Sequence, residues 1–175
     1  QIPALPKKNS QKGENNQYLP GIKLPNNIEG IKDWDELKDI SKVEVVISGL
    51  PTAAIKEYFT DKNEIFEKFF EKDVPFISLS KGIDPVTLEL ADDLFFEIFP
   101  KYKDLFVFLS GPSFAREIMQ EQITLVSGAG RSKFVLEKTA KMLECSFFKI
   151  FPTYDIKGVL LGGALKNVLA IASGI

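Results

Sequence analysis

The 175-residue chain is predicted to form an α/β domain with a largely parallel sheet and flanking helices. Three observations carry that prediction. Short runs of β-branched and apolar residues alternate along the chain with longer stretches whose apolar residues recur at helical spacing. Alternation of that kind builds βαβ units rather than a sandwich or a bundle. The composition is globular, with 45% hydrophobic and 26% charged residues.

Residues 1–17 are rich in Pro, Lys, Asn and Gln and read as a mobile arm or loop. Residues 18–25 (YLPGIKLP) hold two prolines around apolar residues, which favours an extended surface stretch. Residues 31–40 (IKDWDELKDI) predict an acidic helical turn with Asp33 as N-cap and Leu37 and Ile40 inward. Residues 43–50 (VEVVISGL) form a buried strand ended by Gly49 and Pro51. A helix over 52–70 follows, with Asp61-Lys62-Asn63 able to break it in two. Strands at 75–79, 105–109, 123–127 and 147–151 are separated by helices at 86–99 and 133–143. From Asp155 onward the chain is a long apolar helix, predicted to be buried. The many phenylalanines, among them Phe59, Phe66, Phe69, Phe70, Phe95, Phe96 and Phe99, sit at helical spacing and are assigned to the core.

Composition also excludes functions. The formal charge is −2, from 22 basic and 24 acidic residues, so no field directs the chain to nucleic acid. There is no histidine, which removes Ser-His-Asp triads, Cys-His nucleophiles and His-ligated zinc. Cys145 stands alone, so neither an intrachain disulfide nor a Cys-only metal site can form, and no metal is expected. A reducing, cytoplasmic compartment is the default expectation, with an organelle reached by a removed transit peptide as the alternative. The first residue is Gln1 and no apolar signal core follows, so the chain reads as an internal piece of a longer protein. Residues 158–175 have the length of a membrane span, but Lys166 and Asn167 at their centre argue against one.

In a parallel sheet, ligands gather at the carboxyl ends of the strands. That rule singles out Gly49-Leu50-Pro51-Thr52, Ser80-Lys81-Gly82 and Ser110-Gly111-Pro112-Ser113 as loops of one shared site. The G-x-G-x-x-G fingerprint is absent, and Gly128-Ala129-Gly130 is read as a turn. Ser78 to Lys81 matches an SxxK pattern without its companion motifs, and Gly111 to Ala115 approaches a nucleophile elbow that no histidine can complete.

Lys166-Asn167 is the most informative pair. It follows Gly162 and Gly163 inside an apolar helix, where each glycine costs about 1 kcal/mol relative to Ala. Such glycines make sense where backbone or ligand must come close. A lysine in apolar surroundings has its charged form disfavoured, the usual route to a general acid/base. The plainer reading pairs Lys166 with a carboxylate such as Asp155 or Glu117.

Four strings together carry a resemblance: YLPG at 18–21, SKGI at 80–83, SGPSFARE at 110–117 and DIKGVLLGGALKNVLAIASG at 155–174. In these the chain resembles bacterial-type NAD(P)-dependent glycerol-3-phosphate dehydrogenase, over roughly residues 16–175. The resemblance implies a Rossmann-like NAD(P)-binding domain at 18–153, its first βαβ unit missing, and at 154–175 the first helix of an all-α substrate domain. It implies reversible reduction of dihydroxyacetone phosphate to sn-glycerol 3-phosphate by reduced NAD or NADP. By resemblance Lys166 is the catalytic proton donor and acceptor. Substrate contacts fall on Lys81, Gly111, Ser113, Lys166 and Asn167, and cofactor contacts on Lys81, Ala115 and Pro51. A homodimer is compatible with the family.

The chain departs from the family pattern at Gly49-Leu50-Pro51-Thr52, where a Val/Thr-Pro-Ser string is commoner. The glycine fingerprint and most phosphate contacts would lie outside these residues, so the segment alone is expected to be inactive. A β-hydroxyacid or 6-phosphogluconate type of dehydrogenase, which also uses a Lys-Asn pair, and a non-catalytic α/β module are the alternatives.

Overall fold

A computed structural model describes residues 14–15, 18–37 and 39–174. Of the arm expected over 1–17, only Glu14 and Asn15 are therefore open to description. They form β1 (Glu14–Asn15), antiparallel to β2 (Leu19–Lys23), which occupies the stretch expected to be extended. The acidic turn is a short 3-10 turn, Trp34–Glu36, behind Asp33, and both Leu37 and Ile40 pack against the core.

The main sheet contains β3 (Val46–Ser48), β4 (Phe76–Ser78), β5 (Phe106–Ser110), β6 (Thr124–Gly130) and β7 (Phe148–Thr153), in that spatial order. Neighbours are parallel except β5 and β6, which are antiparallel, so the sheet is largely parallel as predicted. Two helices, α1 (Ile55–Asp61) and α2 (Asn63–Phe70), connect β3 to β4, and Lys62 between them makes the expected break. Next come α3 (Ala91–Ile98), α4 (Ala115–Met119), α5 (Lys133–Leu143) and α6 (Ile156–Ser173).

Alternation along the strands sorts the core into two layers. Phe76, Phe106 and Phe108 face α1, α2 and α3, where they meet Phe59, Phe66, Phe70, Phe95 and Phe99, all buried. Ile77, Val107, Leu109, Val126 and Ile150 face the other way, onto Val135 and Leu136 of α5. The phenylalanine layer is edge-to-face and tilted, for example Phe59 on Phe95 with centroids 5.0 Å apart. Each fully buried Phe contributes about 2–3 kcal/mol before entropy is set against it. The core assignment of the Phe residues therefore holds.

Four sequence expectations need correction. Gly128-Ala129-Gly130 is not a turn but the end of β6. A Cβ on Gly128 would stand 2.7 Å from Ile150 Cγ2, and one on Gly130 2.8 Å from the Phe106 carbonyl oxygen. These glycines serve close strand packing. The helix expected from 86 begins only at Ala91, because Asp84 accepts from the N–H groups of Val86 (2.9 Å) and Thr87 (2.8 Å) and closes a turn. The loop after β5 contains α4, a one-turn helix too short to show a periodicity.

The fourth correction concerns α6. Its buried residues are Ile156 and Leu160, and Leu161, Leu165, Val168, Leu169 and Ile171 are exposed. Only one side of its first turns reaches the phenylalanine layer. An all-round apolar sequence signals burial on all sides, and the residues described here cover one. By length and composition α6 could also cross a membrane, the one such helix among the described residues.

Candidate active site

The loops that follow β3, β4 and β5 are joined edge to edge. Ser80 Oγ donates to the Leu50 carbonyl at 2.7 Å, and Thr52 Oγ1 donates to the Gly82 carbonyl at 3.4 Å. Gly82 holds φ at +130°, a backbone that side chains rarely accept. Lys81 then reaches the third loop, its Nζ donating to the Gly111 carbonyl (3.2 Å) and to Ser113 Oγ (3.3 Å). The Ser113 hydroxyl also lies 3.3 Å from that carbonyl. The three strand-end loops thus form one connected rim, as the sequence predicts.

The opposite wall is α6. Asp155 caps it, Oδ1 accepting from the Gly158 N–H at 2.8 Å. Lys157 Nζ pins the same turn to α3 through Asp92 Oδ1 (2.9 Å) and Asp93 Oδ2 (2.6 Å). One turn and a half further on, Gly163 lies directly against Ser110, where a Cβ would come within 2.5 Å of Oγ. Gly162 has nothing within 4 Å of such a Cβ and opens into the cleft. The two glycines therefore divide the expected reasons between them, one for packing and one for free space.

Between rim and helix lies an open cleft of about 800 Å³, bordered by Ser110, Gly111, Phe114, Gly162, Lys166 and Asn167. Lys166 is half-buried, and its Nζ sits 5.3 Å from the centroid of the Phe114 ring. Among the described residues no salt bridge joins Lys166 to Asp155 or Glu117, the two carboxylates considered for it, and Asp155 Oδ1 is engaged as the helix cap. Desolvation acts on the other lysine of the site, Lys81. Burial pushes the Lys81 ammonium below its ordinary pKa, and the positive charge of Lys166 pushes it further the same way.

Gly111, Lys166 and Asn167 border the cleft, and Lys81 and Ser113 are bonded at its edge. Pro51 and Ala115 lie outside it, Pro51 exposed before the turn Thr52–Ala54 and Ala115 exposed at the start of α4. Ser110, of the predicted third loop, lines the cleft as well, and so do Phe114 and Asp155, which the strand-end rule does not reach. The signal for Phe114 was an aromatic among loop residues, which sequence alone cannot separate from core.

Residues 3–134 match the family model of the NAD-dependent glycerol-3-phosphate dehydrogenase N-terminus. Among curated proteins, the NAD(P)+ glycerol-3-phosphate dehydrogenase of Bacillus cereus (strain B4264) is 36% identical over 176 residues, 99% of this chain and 49% of that protein. The Bacillus thuringiensis (strain Al Hakam) enzyme of the same name is 37% identical over 166 residues, 94% of this chain and 47% of its own. The chain spans about half the length of the curated relatives it matches. Two solved structures share the fold. Glycerol-3-phosphate dehydrogenase from Coxiella burnetii superposes with a TM-score of 0.75 at 22% identity, over 98% of this chain and 50% of that one. The Plasmodium falciparum enzyme gives 0.79 at 24% identity, over 98% and 46%. With the family model spanning most of its length, the chain belongs to the NAD-dependent glycerol-3-phosphate dehydrogenase family.

Proposed function

We propose that the protein carrying this chain catalyses the reversible reduction of dihydroxyacetone phosphate to sn-glycerol 3-phosphate by NADH or NADPH, with Lys166 as proton donor. The observation that supports it best is the pair of lysines, Lys166 lining the cleft and Lys81 bonded to the loop at its edge, close enough to couple electrostatically.

The dinucleotide would lie at one end. Gly49 leaves open space beside the first loop, and Lys81 offers a cation at the second. Pro51, Lys81 and Ala115 would hold its nicotinamide end. The sequence contains no G-x-G-x-x-G turn for its pyrophosphate. When bound, the reduced nicotinamide supplies the hydride.

As carbon gains that hydride, the carbonyl oxygen takes on negative charge. Lys166 gives it a proton, and in the reverse direction takes the proton back from the alcohol. Lys81 lies on the other side, held by Gly111 and Ser113, and stabilises the developing alkoxide by its charge. Asn167, on the adjacent helix position about 100° away, hydrogen-bonds a substrate hydroxyl. No histidine is needed at any step.

The test is oxidation of reduced nicotinamide with dihydroxyacetone phosphate, by the native protein and its Lys166→Ala variant side by side. Turnover lost by orders of magnitude in the variant supports the reading. Unchanged turnover moves the proton donor to Lys81, and turnover only with a hydroxyacid substrate replaces the reaction itself.

A further inference from the structure

The loop between β5 and α4 touches both cleft lysines in different ways. Gly111 and Ser113 offer oxygens to Lys81. The next residue, Phe114, offers no oxygen but a ring face, and the Lys166 ammonium stands 5.3 Å from its centroid. Phe114 is 60% exposed and takes no place in either core layer, so packing does not explain an aromatic there. It is also the N-cap position of α4, with extended φ and ψ of −82° and 128°, yet makes no side-chain capping bond. A Ser or Asp at that position would cap the helix better. Among the described residues no salt bridge involves Lys166, and the ring face is the contact its ammonium makes.

We propose that Phe114 is a positioning residue for Lys166. Its ring face holds the ammonium on the α4 side of the cleft by a cation–π contact, apart from Lys81, and gives it up to the substrate oxygen. This inference rests on the acid–base role proposed for Lys166. A carboxylate in the same place would bind the ammonium more strongly and compete with the substrate. An aromatic face offers attraction weak enough to be exchanged, worth only a few-fold in population at a half-exposed site. Two neighbouring residues of one loop thereby keep the two like charges apart, Ser113 on Lys81 and Phe114 on Lys166.

The test replaces Phe114 in the native protein by Leu, Met, Tyr and Trp, and by phenylalanines carrying one, two or three ring fluorines. Fluorination keeps the shape and drains the ring face of negative charge, so these variants fold if the parent does. Two readouts are taken. One is the rate at which an amine reagent modifies Lys166, followed by mass spectrometry, which needs no turnover. The other is kcat with KM for dihydroxyacetone phosphate.

The expected result is stepwise faster modification of Lys166 with each fluorine, about fivefold faster modification and about fivefold lower kcat in Phe114→Leu, and near-parent values in Phe114→Trp. Modification rates indifferent to fluorination, or Leu and Met variants equal to Phe in both readouts, would overturn the proposal. If Lys166→Ala retains full turnover while the fluorine trend in modification persists, the contact stands, and both the catalytic role of Lys166 and the positioning role of Phe114 fall.

Discussion

A Cβ built on Gly130 would stand 2.8 Å from the backbone carbonyl oxygen of Phe106. The two residues sit at the antiparallel junction of β5 and β6, where Val107 is the register partner of Gly130. A carbonyl in a sheet cannot swing aside as a side-chain tip can. Gly130→Ala therefore has to part the two strands locally, and a loss of about 1–3 kcal/mol is expected, the usual range for overpacking. Chemical denaturation of the variant checks it. Stability equal to the parent would mean that the junction yields more easily than its geometry implies.

The two glycines of α6 should behave differently from that one and from each other. Gly162→Ala meets nothing within 4 Å and removes a helix-interior glycine, so it should raise stability by about 1 kcal/mol. The new methyl group enters the cleft, so KM for substrate should rise at the same time. Thermal melting and a substrate titration on one sample separate the two effects. Gly163→Ala must turn the Ser110 hydroxyl away, which offsets its gain in propensity, so its melting temperature should lie below that of Gly162→Ala.

Much of this architecture is legible from residue order. The strand and helix alternation, the break at Asp61-Lys62-Asn63 and the phenylalanine core all follow from periodicity and turn chemistry, which are local. The shortened helix before Leu94 shows where a side-chain oxygen overrules periodicity, since Asp84 captures two N–H groups that a helix would have used. Gly128 to Gly130 misled because a glycine needed for a turn and one needed for close strands look alike in sequence. At the site, the three loops were readable from the rule that ligands gather at strand ends. The lowered pKa of Lys81 was not, because desolvation depends on the loop that covers the ammonium. Phe114 was no easier to separate from core, because the contact of its ring with the Lys166 ammonium depends on what stands opposite it.

Breaking the ion triad should cost more than a surface pair. Asp92 is buried, its side chain 6% exposed, while the Lys157 side chain is 50% exposed. Lys157→Met leaves the Asp92 carboxylate buried without its cation. The expected loss is about 2 kcal/mol, short of the 3–5 kcal/mol seen for fully buried pairs because one partner is half in water. Pairing it with Asp92→Leu should recover most of that loss, because both charges then leave together. A double-mutant cycle measured by denaturation decides it. Burial opposes the Lys157 charge, but Asp93 and Asp92 outweigh it and hold its pKa above the ordinary value. A raised lysine pKa adds stability that is complete below the unfolded-state value and fades only as pH climbs through the folded one. The triad's contribution should therefore be flat from neutral pH up to about 10.

Lys81 gives the opposite pH signature. Its pKa is lowered, first by burial and then by the charge of Lys166. The folded protein therefore releases this proton at a lower pH than the unfolded chain does. Between the two values the unfolded state binds more protons, so stability rises with pH across that window and the cost of the buried ammonium disappears. Lys166→Met removes only the second cause. The Lys81 pKa should move up toward the ordinary lysine value and stop short of it, because burial by the loop at Gly111 to Ser113 is unchanged. Ser113→Ala should do something different, removing a hydrogen-bond partner of the ammonium and pushing the value further down. Reductive methylation with a labelled methyl group, followed by an NMR titration of the Lys81 signal in the three proteins, reads all of this directly. An upward shift in Lys166→Met confirms that the two lysines share one field across the cleft. A signal that does not move would show that the lowering is desolvation alone, and would place the Lys166 charge too far from Lys81 for both to act on one carbonyl oxygen.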